Sequence, residues 1–174
     1  MCPSSYPRRL LLEPHDDPRL AALLPAFSII DPDRRGDPDA LEKAWGVPLP
    51  PSFRGLIERI DGGSLRGRGG VLELWSTRSN LALWREDYRA FKSTPGARVV
   101  FFASDGGGSE FFFDVDDWYG CGRYAVLLAD RGSDVTERVA PSFYAALERI
   151  VSGPPRNYER DILRRPRPPD SERE

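Results

Sequence analysis

Histidine is almost absent from this sequence: His15 is the only one in 174 residues. That scarcity excludes most Ser–His and Cys–His nucleophile pairs, histidine-ligated zinc sites and the H-x-E signature of zinc deaminases in one step. Cysteine is nearly as rare. Cys2 and Cys121 are the only two and form no C-x-x-C pair; a disulfide between them is the alternative, and free thiols in a reducing compartment are the simpler expectation. Lysine is confined to Lys43 and Lys92, and the formal net charge is only −2. Such a balance argues against a chain whose main task is gripping nucleic-acid phosphates. Long apolar runs are missing too. Leu10–Leu12 falls far short of the ~20 residues of a membrane-crossing helix, and no charged-then-apolar signal peptide is visible. A cytoplasmic protein without a membrane partner is expected.

What is present suffices for one ordinary domain. Hydrophobic residues make up 40% of the chain and aromatics 11%, enough to bury a core. Residues 1–36 read as a partly ordered extension, with one helix over Arg19–Leu24 ended by Pro25. Asp37-Pro38 then suits a helix start, an N-cap followed by proline at the first helical position. Leu41, Ala44 and Trp45 form its apolar stripe and Gly46 its stop. A second helix opens at Pro51, with Phe53, Leu56, Ile57 and Ile60 on one face and Gly62-Gly63 after it. Ser64–Gly70 reads as a Gly/Arg-rich loop and Val71–Trp75 as a short strand. A third helix, capped by Ser79, carries Leu81, Trp84, Tyr88 and Phe91 and closes at Pro95-Gly96.

Three apolar runs of strand length follow at Arg98–Ala103, Glu110–Val115 and Arg123–Ala129, spaced as in an antiparallel meander. Phe111, Phe113 and Val115 alternate as one buried face requires. Phe112 breaks the pattern and predicts that the second face is covered as well. A last helix spans Pro141–Val151 with Phe143, Ala146, Leu147 and Ile150 inward. The fold class expected is α+β: one domain over 37–153, a mostly antiparallel sheet with a central meander, and helices before and after it. Residues 154–174 read as a basic, Pro-rich, flexible tail.

Chemistry-bearing patterns are few. The glycines at 67–70 and 106–108 lack the Lys-Ser/Thr of a P-loop and the spacing of G-x-G-x-x-G, so they read as turns. Asp114, Asp116 and Asp117 suggest a cation loop, but Trp118 stands where a third ligand belongs. No metal, cofactor or catalytic residue is expected. Trp45, Trp75 and Trp84 read as core. Trp118 and Tyr119 sit in a polar loop, where aromatics often anchor partners. Asp105, Glu110, Asp114, Asp116 and Asp117 fall in a stretch, Phe101–Gly122, that holds no Lys or Arg. These five acids with Trp118 and Tyr119 are the candidate partner-binding residues, and a solvated face is the competing reading.

The motif order Trp45-Gly46-Val47-Pro48-Leu49-Pro50-Pro51-Ser52-Phe53, then Ile60-Asp61-Gly62-Gly63, resembles the helix–LP–helix–"NGG" opening of the SUKH superfamily, whose best-known branch is the SMI/KNR family. Val99–Ala103 with Gly106–Gly108 and Phe112-Phe113-Asp114 is similar to that family's strand–Gly–strand hairpin. Tyr124–Asp130 resembles its next strand, and Ala140-Pro141-Ser142-Phe143 with Leu147 its closing helix. Asp61 departs from the usual Asn. The resemblance implies a non-catalytic α+β domain in which Trp45, Gly46, Leu49, Pro50, Phe53, Gly62, Gly63 and Phe143 are structural. It also implies a protein partner: a cognate polymorphic toxin, a nuclease or deaminase, neutralised by an immunity protein. The alternative it offers is a regulatory or scaffold interaction module. Direct nucleic-acid binding is not expected, and monomer and homodimer both stay open.

Overall fold

A computed structural model describes residues 18–86, 98–130, 135–154 and 162–163. Helix α1 spans Pro18–Leu23 and runs into a 3-10 turn at Leu24–Ala26, a form that tolerates Pro25 in its first turn. Helices α2 (Pro38–Trp45), α3 (Pro51–Ile57), α4 (Thr77–Glu86) and α5 (Phe143–Ser152) follow in chain order. Strands β1 (Phe27–Ile29), β2 (Gly63–Gly67), β3 (Gly70–Leu74), β4 (Val99–Ser104), β5 (Ser109–Asp114), β6 (Ala125–Asp130), β7 (Thr136–Ala140) and β8 (Ile162–Leu163) complete the fold. All eight strands form one sheet in sequence order, each antiparallel to its neighbour. The chain is thus a single α+β domain. Its sheet also recruits β1 and β8, which lie outside the 37–153 span expected for the domain.

The local chemistry explains the elements. The Asp37 carboxylate accepts the Ala40 N–H at 2.9 Å, and Gly46 takes φ 70° to end α2. Ser142 caps α5 by accepting the Ala145 N–H at 3.3 Å. The start of α4 differs from expectation. Ser79 lies inside the helix, and the buried Asp61 carboxylate accepts the Thr77 N–H at 2.6 Å, while Arg34 pairs with its other oxygen at 2.5 Å. Thr77 also receives the Asp37 N–H on its hydroxyl at 2.9 Å. One buried carboxylate therefore joins the α3–β2 turn to α4 and to the segment before α2. Asp61→Asn retains the capping oxygen and should cost no more than about 1 kcal/mol, because Arg34 is half-exposed. Asp61→Ala strands a buried N–H and should cost about 2–3 kcal/mol in urea unfolding. Equal losses from the two variants would show that the ion pair, and not the cap, matters.

The stretch expected to be a Gly/Arg loop is the β2–β3 hairpin. Its turn docks on the end of α5: the Arg68 and Gly69 amides donate to the Val151 and Ile150 carbonyls at 3.2 and 3.0 Å. These are helix-terminal acceptors that would otherwise need water. A Cβ on Gly69 would collide with the Arg149 carbonyl oxygen, so the glycine serves close approach. Arg149 also donates from its guanidinium to the Arg138 and Val139 carbonyls of β7 at 3.2 and 2.6 Å. In a flat sheet β3 and β7 would lie roughly 19 Å apart. One arginine reaching both shows that the sheet curls around α5. Register shifts at Phe101/Ala103 and Val126/Leu127 supply the bends.

The concave face holds the main core. Phe53 is fully buried, with ring centroids of Phe143, Phe113 and Phe102 at 5.1, 5.2 and 5.3 Å and Trp45 at 6.3 Å. The convex face is covered too, as Phe112 predicted: Phe101, Phe112, Ala125, Leu127 and Cys121 form a second cluster with Trp75, Leu83, Tyr119 and Leu163 packed against it. Trp45 is core, Trp75 is half-buried, and the Trp84 side chain lies outside the described residues, as do Tyr88 and Phe91.

Candidate functional site

The seven predicted partner-binding residues separate into three groups. Asp105 sits in the β4–β5 turn, where its carboxylate accepts the Gly107 and Ser109 amides at 2.8 and 3.0 Å. Glu110 and Asp114 are buried, at 5% and 0% exposure. They share the convex face with Phe112 by the two-residue period of β5, so neither presents its carboxylate to a partner. Asp116, Asp117, Trp118 and Tyr119 occupy the β5–β6 connection, at the opposite end of β5 from Asp105. Six strand residues put these two ends roughly 17–20 Å apart. The acids therefore do not form one patch, and the β5–β6 connection is the part that remains a candidate.

This connection, residues 115–124, is irregular but heavily bonded. Asp114 accepts the Trp118 amide on one oxygen and the Tyr119 amide on the other, both at 2.8 Å. Asp117 takes φ 61° and accepts the Gly122 N–H on its side chain at 2.6 Å. Tyr124 takes φ 60° and donates its amide to the Asp114 carbonyl at 2.6 Å and its hydroxyl to the Pro48 carbonyl at 2.8 Å. Among the described residues, Asp117 and Tyr124 are the two non-glycine residues with positive φ. Each such residue costs on the order of 1–2 kcal/mol and persists only where its surroundings over-determine it.

Charge in the connection is partly neutralised. Arg98, just before β4, grips Asp116 with Nε and Nη2, both at 2.7 Å, in a bidentate pair. The Arg98 hydrogen bonds hold the Asp116 carboxyl below the usual carboxylate range. Arg123 donates to the Val115 carbonyl at 3.1 Å and is exposed. Burial pushes the Asp114 carboxyl up to about 6, against the opposing pull of the two amides, with Asp117 and Asp116 adding a smaller push. The Tyr124 phenol is raised by burial as well. Arg98 and Arg123 bracket a stretch that holds no cation of its own, so sequence windows alone overstated its acidity.

The aromatics differ from each other. Tyr119 turns inward, its ring 5.9 Å from Phe112 and its hydroxyl 3.4 Å from that of Thr136. Trp118 is half-buried on the loop, beside exposed Asp117, Gly120, Gly122 and Arg123. Cys121 is disulfide-bonded, which corrects the expectation of a free thiol. Among the described residues no group of three or more His, Cys, Asp or Glu could hold a metal ion. None of the described helices is long and apolar enough to cross a membrane.

A model of the SMI1 / KNR4 family (SUKH-1) matches residues 35–149, about two-thirds of the chain. No curated protein matches.

Proposed function

Since the chain belongs to the SMI1 / KNR4 family (SUKH-1), we propose that it is a non-catalytic immunity protein that binds and neutralises one cognate toxin. A toxin acting on nucleic acid, a nuclease or a deaminase, suits it best. The docking element is the β5–β6 connection, with exposed Asp117 and Arg123 beside half-buried Asp116 and Trp118 at its edge. The observation that supports this placement is the strained but over-determined backbone: two non-glycine residues at positive φ in eight positions, Asp117 and Tyr124. Strain of that kind concentrates where geometry serves recognition, and a pre-ordered loop binds without paying ordering entropy on contact. Carboxylates at the edge would stand in for substrate phosphates against the arginines and lysines of a nuclease-type site.

Growth rescue tests the function. Candidate toxin domains, sought first among the products of adjacent genes, are expressed in a bacterial host with and without the chain. Rescue with a one-to-one complex is expected. Undiminished toxicity with both proteins well expressed would leave the regulatory or scaffold reading of the family. Replacing Asp116 and Asp117 together by asparagine should weaken the complex at least tenfold and flatten its salt dependence. Affinity and salt slope both unchanged would remove this edge as the docking surface. The compartment also has a direct test. The cytoplasm is proposed from composition, but the disulfide at Cys121 favours an oxidising one. Two reactive thiols per denatured chain, counted straight from cells, would restore the cytoplasmic reading; none would exclude it.

A further inference from the structure

Asp114 stands apart from the acids around it. It lies at the last position of β5, facing Val99 of β4 on one side and Ala125 of β6 on the other. Neither neighbour carries a charge, and the side chain is fully buried. Both carboxylate oxygens are committed, one to each of two successive loop amides, and the Asp114 carbonyl accepts the Tyr124 amide that closes the loop. A buried carboxylate that only filled space would be replaced at lower cost by an apolar side chain. What this one does is fix the backbone at Trp118 and Tyr119 from inside, leaving Trp118 half-exposed and turning Tyr119 inward over Phe112.

We propose that Asp114 is the positioning residue of the docking loop, setting the pose of Trp118 and Asp117 for the partner without touching that partner itself. The inference rests on the docking reading above. The two oxygens and two amides form a small anion nest closed by the protein's own side chain, so the loop is folded before any partner arrives. Arg98 then holds the outer edge through Asp116, and Asp117 clasps the Gly122 amide at 2.6 Å. Inner clamp and outer clamps act on the same connection, residues 115–124. The inner one is the only one of the three shielded from solvent and salt.

The first readout needs no partner. In amide NMR spectra of the full chain, the Trp118 and Tyr119 resonances should titrate together with one midpoint near 6, and that titration should vanish in Asp114→Asn. Asp116 and Asp117 are the charged neighbours acting on the carboxyl, and their asparagine variants should displace the midpoint without removing it. Trp118 and Tyr119 amide resonances that stay at their wild-type positions in Asp114→Asn and Asp114→Leu would show that the carboxylate does not hold the loop, and overturn the proposal. The second readout is binding, at pH 7.5, of the toxin domain that the growth-rescue experiment identifies. Asp114→Asn, which keeps one acceptor oxygen, should weaken it about tenfold, and Asp114→Leu by more. If Asp114→Asn binds as tightly as wild type while the Asp116/Asp117 double variant is weakened, the positioning role is overturned and the docking reading stands. If both bind as tightly as wild type, the docking reading fails and this proposal fails with it.

Discussion

Phe53→Ala should lower the unfolding free energy by about 4 kcal/mol, the middle of the range for deleting a buried ring. Phe53 has no exposed surface, and its ring meets Phe143 and Phe113 edge-on at 5.1 and 5.2 Å and Phe102 at 5.3 Å. These contacts come from α5, β5 and β4, so the ring joins three elements that are remote in sequence. Its own helix, α3, has seven residues and begins and ends without a side-chain cap. A helix that short has little stability of its own and depends on the burial of its apolar face. Neighbours could close over a vacancy only by moving Phe102 and Phe113, which are stacked at 4.3 Å and anchored in adjacent strands. The cavity should therefore stay largely open, which keeps the cost from falling to the bottom of the range. The midpoint of thermal unfolding should fall by roughly 8–16 °C for a domain of this size. A loss below about 1.5 kcal/mol would mean that α3 collapses onto the sheet, and that the aromatic cluster is not the centre of the fold.

How far the sequence could anticipate this arrangement varies by element. Asp37, Pro38 and Gly46 marked both ends of α2 because caps are local chemistry, and the structure has them as expected. The runs that became β4, β5 and β6 were visible because strands buried on both faces are dense in Val, Leu, Phe and Ala. Strand β2 was not visible. Its sequence, Gly-Ser-Leu-Arg-Gly, carries one apolar residue, and its pairing with β1 and β3 is decided by register rather than propensity. Strand β7 has Glu137 and Arg138 at its centre, with Glu137 buried, against every expectation drawn from polarity. β1 and β8, of three and two residues, are too short to show a period at all.

The site divides in the same way. The carboxylates near the β5–β6 connection were legible as a group. Their individual roles were not, although a signal existed: the alternation that turns Phe111, Phe113 and Val115 to the helices also turns Glu110 and Asp114 to the side of Phe112. Once Phe112 is taken as evidence that the second face is covered, Glu110 and Asp114 must be buried with it. Arg98 as the partner of Asp116 needed the β4–β5 pairing, because the two are 18 positions apart in sequence. The inward turn of Tyr119 goes with its amide bond to Asp114 and with the positive φ of Asp117, and neither had a sequence mark.

The remaining large effect is a pH dependence of unusual sign. In the native protein the Asp114 carboxyl is raised by burial to about 6, from an ordinary value of 3.8. Between these two values the folded chain holds a proton that the unfolded chain has released. Stability from Asp114 is therefore fully present below about 3.8 and is lost as the pH rises through about 6. The shift corresponds to about 3 kcal/mol, of which about 2–3 should be visible between pH 4 and pH 8. Asp116 works in the other direction: its carboxyl is lowered by Arg98, so its contribution is lost only as the pH falls below the usual carboxylate range. The two windows hardly overlap, which lets one titration separate them. Urea unfolding of wild type and Asp114→Asn across this range should show the wild type losing about 2–3 kcal/mol relative to the variant on going from pH 4 to pH 8. Parallel curves would mean that the amides of Trp118 and Tyr119 fully offset the burial of the charge. At neutral pH the chain thus keeps a buried, ionised carboxylate held by two amides against the cost of its burial. The pH profile therefore reads the balance at this one carboxyl between the cost of burial and the hydrogen bonds from Trp118 and Tyr119.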